Sequence, residues 1–135
     1  MRLRLLKEPF DHPDYIFELK HDGFRAVAYI NSGECRVESR NLRSLPVKLL
    51  RASLGALNVS SAILDGEVVV LDGKGVSQFN ALLTTKGREA AVFCAFDLLW
   101  LNGADLRQTP LMERKAQLRT GEREPLSTAS IRAAH

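Results

Sequence analysis

The run Ala62 to Leu71, Ala-Ile-Leu-Asp-Gly-Glu-Val-Val-Val-Leu, narrows most what this chain can become. It is rich in β-branched residues and ends at the turn sequence Asp72-Gly-Lys-Gly75, so it reads as a strand with a tight exit. Asp65 and Glu67 are two residues apart, and a strand therefore places both carboxylates on one face of an otherwise apolar segment. Carboxylates in that setting are costly unless they are paired or stand at a polar site. Gly66 between them permits a bulge or the close approach of another backbone. The pair could bind a ribose hydroxyl, a metal or a lysine. It could equally be the exposed face of a half-buried strand.

Other segments repeat the two-residue period. Tyr15, Phe17 and Leu19 alternate with Ile16, Glu18 and Lys20, which predicts a strand. Asp22-Gly23 then supplies turn chemistry, and Phe24 to Ile30 alternates again, so a hairpin is expected here. Asn31-Ser-Gly33 reads as a turn before a short strand from Cys35 to Ser39. Leu45 to Leu57 fits an amphipathic helix, with Leu50, Leu54 and Leu57 on one face and Lys48 and Arg51 pointing away. Ser77 to Leu83 is expected to be a short helix capped by Ser77. Ala91 to Leu101 reads as a strand closed by Asn102-Gly103. Thr109 and Pro110 then start a helix to about Arg119. Thr120 to His135 has little apolar periodicity and reads as a loose tail after one folded unit, 1–119. Strands with inserted helices, without strict strand–helix alternation, imply an α+β fold with a mostly antiparallel sheet.

At 135 residues, with 45% hydrophobic and 26% charged, the chain suits one globular domain with a real core. A net charge of +3 permits contact with a polyanion without arguing for it. The two cysteines, Cys35 and Cys94, lack the neighbours of a zinc site and read as buried reduced thiols. No apolar run is long enough to span a bilayer. The basic start, Met1 to Lys7, lacks the apolar core of a signal peptide, so no membrane partner and a cytoplasmic location are expected. The sequence holds no GxGxxG or Walker loop.

Two further places carry chemistry. In the expected hairpin, Glu18, Lys20, Asp22 and Arg25 crowd one end. An amine beside another cation stays neutral more readily, and only the neutral amine is a nucleophile. The same residues would also make an ordinary ion-pair cluster at a sheet edge, and spacing alone favours that reading. In Phe93-Cys-Ala-Phe96-Asp97, a regular strand points Phe96 and Asp97 to opposite faces. An aromatic on a sheet face can stack on a purine, although most such residues are core.

Taken in order, ELKHDGFRAVAY, SRN, ILDGEVVVLDGKG, FDLLWLNGADLR and PLMERK closely resemble the ATP-dependent DNA ligases, especially bacterial multifunctional repair ligases. The resemblance runs from about Pro9 to Leu118. The Lys-x-Asp-Gly-x-Arg motif at Lys20 also occurs in RNA ligases and mRNA capping enzymes; the four later segments favour the DNA ligases. The resemblance implies a nucleotidyltransferase (adenylation) domain, partial and ATP-grasp-like, that uses ATP and Mg2+ to seal nicked double-stranded DNA in repair, recombination or replication. It makes Lys20 the residue that takes AMP. It puts Glu18 beside the adenine amino group, Arg25 at the ribose, Arg40 near the sugar and DNA phosphate, Glu67 at the ribose and a metal, and Phe96 against adenine.

The chain departs from the family pattern in two ways. Many relatives have glycine after Ser-Arg-Asn, where this chain has Leu42, which bears on the local turn and on Arg40. After Lys115 there is no Glu-Gly motif and no Trp-x-Lys-x-Lys segment, the family's later acid and α-phosphate lysines. The chain is therefore expected to be the front part of the domain, completed by a separate chain or domain, or else a non-catalytic nucleotide- or DNA-binding remnant. Removing a preorganised donor from a developing charge costs about two to three orders of magnitude in rate. The expected outcome of a nick-ligation assay on the purified chain is little or no sealing; efficient sealing would overturn it.

Overall fold

Strand β3 (Ser61–Val69) lies between β1 (Phe24–Asn31) and β4 (Val92–Leu101) and runs antiparallel to both. Strand β2 (Glu34–Ser39) pairs with the outer edge of β1. The short β5 (Ala104–Asp105) returns along the end of β4, giving the order β2-β1-β3-β4-β5. Strand β6 (Ile131–Ala133) runs parallel beside Phe93 to Ala95 of β4. This computed structural model describes residues 8, 10–120 and 131–133. The basic start read for signal-peptide character, and residues 121–130 of the stretch read as a tail, lie outside the described residues.

The expected α+β sheet is thus observed, with its tight turns where the sequence places them. Ser32 and Gly33 between β1 and β2 both have positive φ, 50° and 84°. Asn102 and Gly103 between β4 and β5 do the same, at 47° and 90°. Two consecutive left-handed residues match the twist of the flanking strands, and small polar residues and glycine tolerate them best. The Asn102 side chain also accepts the Ser60 backbone N–H at 2.8 Å, which fastens this turn to the start of β3.

One face of the sheet is closed by helices. Ala26, Ala28, Ile30, Val37, Leu64, Val68 and Phe93 meet Leu50, Leu54 and Leu57 in one buried cluster, which Leu82 and Leu118 also join. Leu50 and Leu54 belong to α1 (Lys48–Gly55). The leucine stripe is the one expected, but the helix starts later than Leu45. The residue before a proline is biased away from helix, and Leu45 instead donates its N–H to Val37 O at 2.9 Å. Cys35 and Cys94 are buried thiols, and burial pushes the Cys35 thiol up to about 11.

Two expectations fail. Residues Tyr15 to Lys20 form no strand, and no hairpin joins them to β1. Both edges of β1 are already used, by β2 over Ala26–Asn31 and by β3 over Phe24–Asn31, so the alternation finds no ladder to enter. Gly23 is accordingly no hairpin turn. Its backbone passes so close to β3 that a Cβ there would stand 2.1 Å from Val68 O. Ser77 likewise does not cap a helix. The helix that follows, α2 (Phe79–Leu82), begins after Gln78 with no side-chain cap, while Ser77 Oγ accepts the Asp22 N–H at 3.2 Å. A further turn, α3 (Thr85–Arg88), is capped by Thr84, whose hydroxyl accepts the Gly87 N–H. Helix α4 (Leu111–Thr120) starts after Thr109-Pro110 as read.

The turn after β2 explains the departure at Leu42. Leu42 N donates to Ser39 O at 2.9 Å and Ser39 N to Arg43 O at 2.8 Å, and closing this loop puts Leu42 at φ 57°. A left-handed conformation costs a residue with a Cβ about 1–2 kcal/mol, and the Leu42 side chain, 79% exposed, recovers little by burial. Glycine removes that strain but enlarges the entropy of the unfolded chain by about 0.4–1 kcal/mol. Leu42→Gly is therefore expected to stabilise the fold by roughly 0.5–1 kcal/mol, read from urea denaturation.

Candidate nucleotide site

The opposite face of the sheet carries Arg25, Val27 and Tyr29 from β1 and Ile63, Asp65 and Glu67 from β3, all partly exposed. Asp65 and Glu67 do share a face, but they have different partners. Arg25 stands directly across from Glu67 in the register, yet its guanidinium reaches diagonally to Asp65, with Nε–Oδ1 and Nη2–Oδ2 both at 2.8 Å. Such a fork on a carboxylate fixes direction as well as charge. Hydrogen bonding to Asp65, reinforced by the charges of Asp65, Glu67 and Glu18, holds the Arg25 pKa above its ordinary value although burial opposes it. The same guanidinium lies 5.1 Å from the centre of the Phe96 ring, within cation–π range.

Phe96 stands where it does because β4 is irregular. Asp65 pairs with Asp97 and Gly66 with Ala95, which leaves Phe96 as an extra residue without a partner on β3. A bulge of this kind re-aims side chains that a regular strand would send to alternate faces. The expectation that Phe96 and Asp97 simply point apart therefore does not apply. Gly66, opposite the bulge, allows β4 to come close, since a Cβ there would meet Cys94 O at 2.3 Å. Asp97 takes a second fork, from Arg114 of α4, at 2.7 and 2.9 Å. Hydrogen bonding to Asp97 raises the Arg114 pKa.

Lys20 and Glu18 lie on an irregular strap, residues 10–22, that crosses to β1. The strap is tied beside the open face through Gly23, whose N–H donates to Glu67 Oε1 at 3.0 Å. Asp22 is tied to Ser77, and Ser77 Oγ also lies 3.4 Å from His21 Nδ1. Glu18 pairs with Lys115 of α4. Lys20 is exposed and makes no hydrogen bond or ion pair with the described residues. The crowded ion-pair cluster read from spacing is therefore not what forms. Arg25 turns to Asp65 and Glu18 to Lys115, and Lys20 is left out of both pairs.

Of the residues singled out in the sequence, Arg25, Glu67 and Phe96 thus meet at one end of the open face, with Glu18 and Lys20 on the strap tied beside them. Arg40 is exposed in the turn after Ser39, which pairs with Ala26, so it stands at the same end of β1 as Arg25 without bonding to it. Farther along the face a cleft of about 370 Å³ is lined by Val27, Tyr29, Ile63 and Trp100 among others, and by none of these assigned residues. Lys115 was not anticipated as part of the site. The sequence carried little signal for it: Lys115 lies three residues before the buried Leu118, on the same side of the helix, but Leu111, four residues earlier, is exposed and α4 has no continuous apolar stripe. Among the described residues no three His, Cys, Asp or Glu side chains gather to hold a metal. No helix among them is long and apolar enough to cross a membrane.

The antiparallel sheet, inserted helices and lysine-bearing strap form an α+β domain of the kind found in the ligase nucleotidyltransferase domains on which it superposes. The family model for the ATP dependent DNA ligase domain matches residues 4–131. The chain belongs to that family. It is 38% identical over 110 residues to the multifunctional non-homologous end joining protein LigD of Pseudomonas aeruginosa, covering 78% of this chain and 13% of that protein. It is 32% identical over 127 residues to the SPbeta prophage-derived DNA ligase-like protein LigB of Bacillus subtilis, covering 90% of this chain and 46% of that one. The crystal structure of the ligase domain from M. tuberculosis LigD superposes with a TM-score of 0.68 at 32% identity, covering 87% of this chain and 38% of that domain. A mycobacterial DNA ligase D complexed with ATP and MES superposes at 0.67 and 31% identity, covering 85% of this chain and 38% of that one. The chain therefore spans less than half the length of each of these relatives.

The Asp97–Arg114 fork is mostly buried, with side chains 19% and 14% exposed. Breaking a buried pair by removing one partner costs about 3–5 kcal/mol, and partial exposure lowers that. Asp97→Asn is expected to destabilise the fold by about 2–3 kcal/mol in urea denaturation. In a double-mutant cycle with Arg114→Met, most of that loss should be shared rather than additive.

Proposed function

We propose that this chain is the nucleotide-holding part of an ATP-dependent DNA ligase adenylation domain, in which Lys20 accepts AMP. The observation that carries the reading is the bond from Gly23 N–H to Glu67. It fastens the lysine strap to the same end of the sheet where Arg25 and Phe96 meet. The ATP complex of the mycobacterial neighbour supports it.

In this reading Phe96 stacks on adenine, with Arg25 already over one face of its ring. Glu18 accepts from the adenine amino group. Arg25 and Glu67 face the ribose, and Arg40 reaches the sugar and the DNA phosphate. The neutral amine of Lys20 attacks the α-phosphorus. An N–P bond forms, the bond to the bridging oxygen of the β-phosphate breaks, pyrophosphate leaves and the amine gives up a proton. AMP then passes to the 5′-phosphate at a nick in double-stranded DNA, and the 3′-hydroxyl displaces it to seal the strand.

The absence of a three-ligand cluster is compatible with magnesium. That ion is usually held by one or two carboxylates together with substrate phosphates, and in this reading Glu67 would be one of them. Bound there, it would spread the phosphate charge. The lysines that neutralise the α-phosphate in the family would come from another domain or chain. The setting is DNA-break repair or recombination in the cytoplasm.

Incubation with magnesium and ATP labelled at the α-phosphate is expected to leave acid-labile label on the protein. Lys20→Ala should abolish the label while the fold persists. Phe96→Ala should weaken ATP binding by about tenfold or more, since base–aromatic stacking is worth about 1–3 kcal/mol. Absence of label on the wild-type protein at saturating ATP would remove the covalent step. Nucleotide binding without label would favour a non-catalytic binding module instead.

A further inference from the structure

A lysine buried against a sheet must find acceptors within the protein or turn out to solvent. Lys115 is 5% exposed, and among the described residues it is the buried charged side chain. Its ammonium donates to Phe96 O at 2.7 Å and pairs with the Glu18 carboxylate. Phe96 is the bulge residue that β3 leaves unpaired, and its carbonyl takes a partner from α4 instead. Glu18 lies on the strap, which enters no ladder. One ammonium thus joins three pieces of the fold that no backbone hydrogen bonds connect: the strap, the bulge and α4.

Position along the strap gives this contact its consequence. The described hydrogen bonds and ion pairs between the strap and the rest of the fold fall in two places. One is Glu18 on Lys115; the other is His21 and Asp22 on Ser77, next to Gly23 on Glu67. Lys20 lies between them. With both tethers the chain on either side of Lys20 is held; without the first, Lys20 is anchored from one side only.

We infer that Lys115 is a positioning residue, which sets where the strap carrying Glu18 and Lys20 stands relative to Phe96. Its importance for nucleotide rests on the proposed reading of the site. The tether itself does not. Lys115 touches neither nucleotide nor DNA in this reading and acts through Glu18 and the Phe96 carbonyl.

The test uses the full chain without nucleotide, comparing wild type with Lys115→Met by nitrogen-15 NMR relaxation of the backbone amides, followed by calorimetric titration with ATP. The expected result is a fall in the order parameters of residues 15–22 towards the flexible range, below about 0.6, with β1 and β3 unchanged, and ATP affinity about tenfold weaker. Should Lys115→Met fail to fold, Glu18→Ala removes the same tether while leaving Lys115 on Phe96 O, and should lower the order parameters of the same residues. Unchanged strap order parameters in a folded variant overturn the inference. So does an equal fall through the whole sheet, which would make Lys115 a general stabiliser. A looser strap with unaltered ATP affinity, in a protein that binds ATP, overturns its positioning role. If the wild type binds no ATP and the strap still loosens in the variant, the tether stands and the ATP reading of the site falls.

Discussion

Strand β3 is held on both sides, by β1 through eight residue pairs and by β4 through eight more. Because both neighbours are antiparallel and fixed in register, its two-residue alternation becomes a property of the sheet. Ala62, Leu64, Gly66 and Val68 are delivered to the helix-covered face; Ile63, Asp65 and Glu67 go to the other. A slip of one residue would bury both carboxylates in the core and expose the leucine and valine. The polar patch and the core are therefore set by the same ladder. Gly66 allows β4 to lie close at the point where Phe96 bulges out.

The strap is bound by a different kind of force. It has no ladder and is fastened by the side chains of Glu18 and His21, by the Asp22 N–H on Ser77 and by the Gly23 N–H on Glu67. Segments held by a few partly exposed polar contacts open more readily than core strands do. In the proposed reading Lys20 meets a phosphorus atom and then carries its adduct to another substrate, and such a segment permits movement that β3 would forbid. Its tethers reach different elements: β3, α4 and the loop before α2. The position of Lys20 accordingly depends on the whole fold.

Most of the sheet and its face assignment could be read from residue order. Alternation of apolar side chains gave the observed β1, β3 and β4 within a residue or two. Turn residues gave both tight hairpin turns, and the leucine spacing gave the buried stripe of α1. The family motifs marked Arg25, Glu67 and Phe96, which the sheet brings together. The failures have a common cause. Tyr15 to Lys20 alternates as well as a strand does, but pairing requires a free edge, and β1 had none left. Ser77 looks like a helix cap, but the nearby Asp22 N–H took its hydroxyl. Lys115 looks like an ordinary charge on a terminal helix until α4 docks against β4.

The sequence by itself determined which residues alternate, where the chain turns, and that Asp65 and Glu67 share a face, because those follow from the period of a strand and from residues tolerant of left-handed φ. It also determined the family, through five motifs in order. Only the tertiary structure decided how the charges pair. Arg25 goes to Asp65 and not to the facing Glu67, Arg114 to Asp97, Lys115 to Glu18, and Lys20 to none of them. Side chains of like charge compete for the same partners, and the winner is set by distances between strands, a bulge and a helix that lie far apart in the chain.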